Sequence, residues 1–229
     1  MQNLRNKEDL LEKYNIRGSV FMKSILSYPE RGPFGDSRYR GNCTGYLIED
    51  LLRYYKPKRF LECFAGGGTG FDVARYLGYK NSVHLDLNPA FGGFNILRDE
   101  LPYGADFVFS HPPYWNIIKY SGNTWGNKAH KEDLSQINNY NEFIRLLNQA
   151  NKNIYHSMHY GGRHALLIGD IRRNGKYYSI IKDMEWFGKL EAHLIKVQHN
   201  TRSNHKVYAN YNFIPIEHEH LLIFRKPHS

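Results

Sequence analysis

Cysteine is nearly absent from this chain: Cys43 and Cys63 are the only two among 229 residues. They have no CxxC spacing, which excludes a disulfide framework or a thiolate zinc site and suits reduced thiols in a reducing, cytoplasmic compartment. Long apolar runs are also missing. Nothing approaches the roughly 20 residues needed to cross a bilayer. The opening MQNLRNKEDLLEKY lacks the apolar segment of a signal peptide, so a soluble protein with no membrane partner is expected. No Lys-Ser or Lys-Thr follows the glycine cluster at 66–70, which argues against an ATP- or GTP-binding phosphate loop. Repeats and low-complexity tracts are absent. Twelve histidines are present, but neither His156 with His159 nor His218 with His220 has the companion ligands of a zinc site, so no metal is expected. Acidic residues are in deficit, 22 Asp and Glu against 31 Lys and Arg, for a net charge of +9. That balance suits a polyanionic partner, because cations that neutralise phosphates release counterions.

What remains is enough for one substantial core, with 41% hydrophobic residues, but too short for two full domains. Residues 1–41 read as a helical segment followed by a basic loop, with Leu4, Leu10, Leu11, Tyr14, Phe21, Met22, Ile25 and Leu26 near the helical period. Residues 42–229 read as a continuous α/β domain. YLIEDLLRYY is a helix, RFLECF a strand, FDVARYLG a helix, SVHLDL and DFVFS strands, and 138–158 a helix. HALLIGD is a strand, 177–187 a helix, and EAHLIKVQ and HLLIFRK close the chain as an antiparallel hairpin. This alternation predicts a Rossmann-like fold with a mostly parallel sheet and helices on both faces.

Two segments carry chemistry. The turn Phe64-Ala65-Gly66-Gly67-Gly68-Thr69-Gly70 lies between a strand and a helix, at the sheet edge where ligands bind in open α/β folds. Glycine there allows close backbone approach. About twenty residues on, Asp86 ends the next strand, where a carboxylate can hold ribose hydroxyls. The second segment is Ser110-His111-Pro112-Pro113-Tyr114-Trp115, which follows a buried strand. Its prolines stiffen the backbone, so carbonyls can be held outward as acceptors beside the flat face of Tyr114.

FAGGGT followed by HPPYW resembles the two signature motifs of the DNA amino-methyltransferases, which make N6-methyladenine or N4-methylcytosine. The resemblance runs from about Asn42 to Lys226 and includes LLIGDIRRNG, IKVQHN and EHEHLLIFRK. It implies S-adenosyl-L-methionine as cofactor, gripped by Phe64, Ala65, Gly66, Gly68 and Thr69, with Asp86 on the ribose, Asn95 or Asp99 on the adenine, and Asn42, Cys43 and Thr44 near the methionine end. Ser110 joins this set. His111, Pro112, Pro113 and Tyr114 would carry catalysis. His111 departs from the usual Asp, Asn or Ser before Pro-Pro and can accept an amine hydrogen only as a neutral tautomer, leaving adenine versus cytosine open.

A base inside a duplex is out of reach of such a site, so it must be flipped out or single-stranded. Basic and aromatic positions outside the motifs are the expected nucleic-acid surface: Arg31, Arg38, Arg40, Trp115, Lys119, Trp125, Lys128, Lys131, Arg172 and Arg173. Room for target recognition is limited to about 116–136 and 199–212, so specificity is short or comes from a second subunit, whether a homodimer partner or a separate specificity chain. The alternatives are an RNA adenine-N6 or protein-glutamine methyltransferase of similar fold, or a non-catalytic nucleic-acid-binding partner.

Overall fold

The structure, a computed structural model, describes residues 22–199 and 214–228. Its centre is a seven-stranded sheet in the order β1-β8-β9-β5-β4-β2-β3. The strands are β1 (Ile25–Ser27), β2 (Phe60–Cys63), β3 (Val83–Leu85), β4 (Ala105–Ser110), β5 (Met158–Ile168), β8 (Lys189–Val197) and β9 (His218–Arg225). A small hairpin, β6 (Ile171–Arg173) and β7 (Lys176–Tyr178), stands apart. Pairing is parallel except where β9 runs antiparallel to both β5 and β8. The α/β architecture with a closing antiparallel hairpin is therefore as expected.

Side chains alternate across the sheet, so each inner strand feeds two cores. Phe107, Phe109, Ala165, Leu167, Leu221 and Ile223 pack on one face against helices α1 (Gly45–Tyr55) and α2 (Thr69–Tyr76). Val108, Leu166, Ile168, Leu222 and Phe224 face the other way, toward α3 (Tyr140–Ser157). Helix α1 buries Leu47, Ile48, Leu51 and Leu52 at helical spacing, starts on Thr44 as N-cap and stops at Lys56, which takes a left-handed conformation just before Pro57. Helix α3 starts on Asn139, whose side chain accepts from the Glu142 amide at 3.0 Å.

Two expectations need correction. Ile25 and Leu26 belong to β1, paired in parallel with β8, and not to a helix continuing from the N-terminus. Residues 1–21 of the expected helical segment lie outside the described residues, as do 200–213, which hold most of the stretch 199–212. The helix expected over 177–187 is instead the end of β7 followed by a single turn, α4 (Ile180–Asp183). Asn174 (φ 50°) and Gly175 (φ 74°) form a two-residue turn, with Arg173 paired to Lys176, and this geometry matches the twist of a hairpin.

Candidate active site

The site is built by register. Cys63 of β2 pairs with Leu85 of β3 on one side and Ser110 of β4 on the other, so the three strands end flush. One residue beyond that line stand Phe64, Asp86 and His111. With strands about 4.8 Å apart, Asp86 and His111 flank Phe64 over a span of about 10 Å. Phe64 (φ 63°) and Trp115 (φ 51°) both take the left-handed region that bulky residues avoid, one at each of the two chemical segments.

Between these segments lies a cleft of about 760 Å³, counted with its open mouth, lined by Phe64, Gly66, Asp86, Asn95, His111 and Pro113 among others. The glycine-rich turn and the Pro-Pro segment thus share one cavity. Gly66 has φ 53°, and a Cβ there would come within 3.1 Å of the Tyr39 ring, so a side chain would be strained in conformation and crowded against that ring. The turn is braced by Asp86, whose carboxylate accepts from the amides of Gly66 at 2.8 Å and Asn88 at 2.7 Å. Burial raises the Asp86 carboxyl to about 6, although those two amide bonds pull it down. From the other side Asn42 accepts from the Gly67 amide at 3.3 Å.

Asn95 is 2% exposed and lines the cleft; its Oδ1 accepts from the Leu97 amide at 3.0 Å, while its Nδ2 has no partner. A buried donor left open in a cavity wall marks a place for a ligand acceptor. Asp99 does not line the cleft; it accepts from the Asn95 amide at 2.7 Å and so holds that loop in place.

Other expected cofactor residues are spent on the fold. Thr44 caps α1 and donates to the carbonyls of Glu30 and Arg31. Cys43 lies in the core, and burial pushes its thiol up to about 12. Ala65 is buried, Thr69 is buried with its hydroxyl unpartnered, Gly68 (φ 80°) starts α2, and Ser110 meets the buried His164 at 2.6 Å. None of these six lines the cleft.

The Pro-Pro segment is held through side chains. His111 Nε2 lies 2.9 Å from Tyr114 Oη, which donates to Glu219 at 2.7 Å, and Glu219 receives Lys196 Nζ at 2.5 Å. Burial lowers His111 to about 4, so the ring is neutral at pH 7, and burial together with Glu219 keeps the Tyr114 phenol protonated. The Tyr114 ring lies over Gly169, where a Cβ would meet it at 2.6 Å. Pro112 is buried and Tyr114 partly buried, and they stand beside the cleft while His111 and Pro113 line it.

The expected nucleic-acid residues divide. Trp115 is buried, donates to the Ile137 carbonyl at 2.9 Å, and packs on Tyr140 and Tyr178, so its ring serves the core and offers no stacking surface. Lys119 donates to the Ser135 carbonyl at 2.7 Å, and Arg38 pairs with Asp36. Arg31 is partly buried. Arg173 hydrogen-bonds Asn116 and lies 5.0 Å over the Trp115 ring; Arg172 lies 5.4 Å over Tyr177. Trp125 lines the cleft, and Arg40, Lys128 and Lys131 are exposed. Sequence reasoning passed over Tyr39 and Tyr120, stacked rings 5.7 Å apart that wall the cleft, because each comes from a loop without periodicity.

No protein-family model and no curated protein matches the chain. Among solved structures it is similar to a candidate DNA modification methylase of Thermus thermophilus, TTHA0409, at 20% identity over 58% of this chain and 50% of that one, TM-score 0.39. It is similar to TrmN of Thermus thermophilus at 18% identity over 82% of this chain and 50% of that one, TM-score 0.49. It is also similar to the N-methyltransferase NodS of Bradyrhizobium japonicum WM9, at 13% identity over 80% of this chain and 94% of that one, TM-score 0.47. The chain spans half the length of the first two.

Proposed function

We propose that this protein is an S-adenosylmethionine-dependent methyltransferase acting on the exocyclic amino group of a nucleic-acid base, N6 of adenine or N4 of cytosine, with DNA as the favoured polymer. The observation that carries the reading is the shared cleft: the glycine-rich turn, Asp86 and Asn95 form one wall, and His111 and Pro113 the other. The cofactor fits the residues present. Gly66 leaves room at the turn, Asp86 offers a buried carboxylate at the ribose position, and the open Nδ2 of Asn95 suits an adenine acceptor. When bound, S-adenosylmethionine supplies an electrophilic methyl group on a sulfonium.

An amino nitrogen conjugated to a base ring is a poor nucleophile because its lone pair is delocalised. Accepting its hydrogens returns electron density to nitrogen, and the Pro112 carbonyl and His111 are the acceptors assigned here. As the new N–C bond forms, the nitrogen must lose a proton, and neutral His111 can take it. Tyr114 gives the base a ring to rest against, and stacking of about 1–3 kcal/mol offsets part of the cost of extruding it. The protein is expected to act in the cytoplasm, alone or with a second subunit that supplies sequence specificity.

The test is incubation with S-adenosylmethionine carrying a labelled methyl, in parallel with duplex DNA, structured RNA and protein, followed by nucleoside or amino-acid identification. Label in N6-methyladenine or N4-methylcytosine from DNA is expected. Label only in RNA or glutamine would move the substrate, and no transfer to any of them would overturn the reading.

A further inference from the structure

Two opposite charges are buried near the loop end of the closing hairpin: Lys196 of β8 and Glu219 of β9, directly paired in register one pair from its end and each less than a tenth exposed. Burying an ion costs several kcal/mol, and a salt bridge rarely repays it by more than an apolar pair would. The pair is not closed on itself, for Glu219 also receives the Tyr114 hydroxyl, which reaches across Gly169 from the Pro-Pro segment.

Hydrogen-bond polarity can be followed along this chain. Lys196 has only donors, and Glu219, which burial would raise but which the Lys196 charge and the hydrogen bonds from Lys196 and Tyr114 hold below the ordinary carboxylate range, has only acceptors. Tyr114 has one hydrogen, and it goes to Glu219. The 2.9 Å contact between Tyr114 Oη and His111 Nε2 then requires the histidine to donate. A neutral imidazole carries one proton.

We propose that Lys196 and Glu219 are positioning residues that fix the tautomer of His111 through Tyr114, placing the proton on Nε2 and leaving Nδ1 bare as an acceptor. The role rests on the proposed function in one respect: a bare Nδ1 is what an amino-group substrate requires. The groups that act on His111 are Tyr114, Glu219 and Lys196, with Cys43 and Tyr120 beside Tyr114, and all but the ion pair are neutral at pH 7.

Glu219→Gln makes a reversal. Lys196 takes the new amide's carbonyl, the amide NH2 then faces Tyr114, the phenol turns to donate to His111 Nε2, and the histidine proton moves to Nδ1. Adding Lys196→Met frees the carbonyl for Tyr114 and restores the original polarity. The experiment is long-range proton–nitrogen correlation NMR on the 15N-histidine-labelled full chain, which needs no substrate. Nε2–H is expected in the wild type, Nδ1–H in E219Q, and Nε2–H again in K196M/E219Q. In turnover, E219Q is expected to lose about a hundredfold in kcat with cofactor affinity unchanged, and the double variant to regain it. Nδ1–H in the wild type, or an unchanged tautomer in folded E219Q, overturns the proposal. If E219Q does not fold, Lys196→Met with Glu219→Leu removes both charges and leaves His111 Nε2 as the acceptor in reach of the Tyr114 hydroxyl; Nδ1–H is expected there, and Nε2–H overturns the proposal equally. A tautomer that follows these variants in a protein that methylates no base would sustain the network and fail the functional reading.

Discussion

Asp86 serves the site only as an anion, since both Gly66 and Asn88 present amide hydrogens to it. Burial has raised its folded-state value to about 6, above the ordinary 3.8. The folded protein therefore binds more protons than the unfolded chain between about pH 4 and 6, and through this group stability falls as pH rises across that window. Cofactor binding has the opposite dependence, because protonation removes an acceptor. Calorimetric affinity for S-adenosylmethionine is expected to weaken as pH drops below about 6 and to be flat above 7. Asn95→Asp keeps the acceptor for the Leu97 amide but replaces the open donor with another acceptor. Loss of one ligand hydrogen bond predicts at least a tenfold weaker cofactor, and the buried carboxylate beside Asp99 predicts a lower melting temperature that partly recovers at acid pH, where the new group is neutral. The glycines, Asp86 and the Pro-Pro-Tyr segment were legible in sequence because local backbone geometry dictates them. The open Asn95 donor and the Glu219–Tyr114 bond were not, since partner identity depends on residues brought together only by the folded sheet.

At the scale of elements, the flush ends of β3, β2 and β4 set the spacing of Asp86, Phe64 and His111 along the cleft, and Gly169, one residue past the end of β5, supplies the floor beneath Tyr114. Gly169→Ala places a methyl 2.6 Å from that ring. A shift of about 1 Å in Tyr114 predicts a loss of roughly a hundredfold in kcat, with calorimetric cofactor binding retained. The inner strands were legible because their apolar runs are bounded by turn residues, and α3 because its apolar spacing holds over four turns. β1 was hidden: three residues with one buried side chain, Leu26, carry no period, and their strand character comes from pairing with β8. The β6–β7 hairpin did have a local sign in Asn174-Gly175, overshadowed by the helix-like spacing of Tyr177, Ile180 and Ile181.

Across the whole molecule, the net charge of +9 predicts association with DNA that weakens steeply with salt. Lys128 and Lys131 are exposed on the loop that also brings Trp125 to the cleft, and under the proposed function they would meet phosphate. Replacing both with Gln should lower the slope of log K against log salt by about 2 in magnitude, without changing cofactor affinity. A slope equal to wild type would remove that loop from the interface. The measurement that tests the account most directly is a crystal structure with S-adenosylhomocysteine bound. The account predicts the nucleoside within hydrogen-bond reach of Asp86 and Asn95, and the sulfur turned toward His111 and Pro113. A ligand seated elsewhere on the molecule would contradict it.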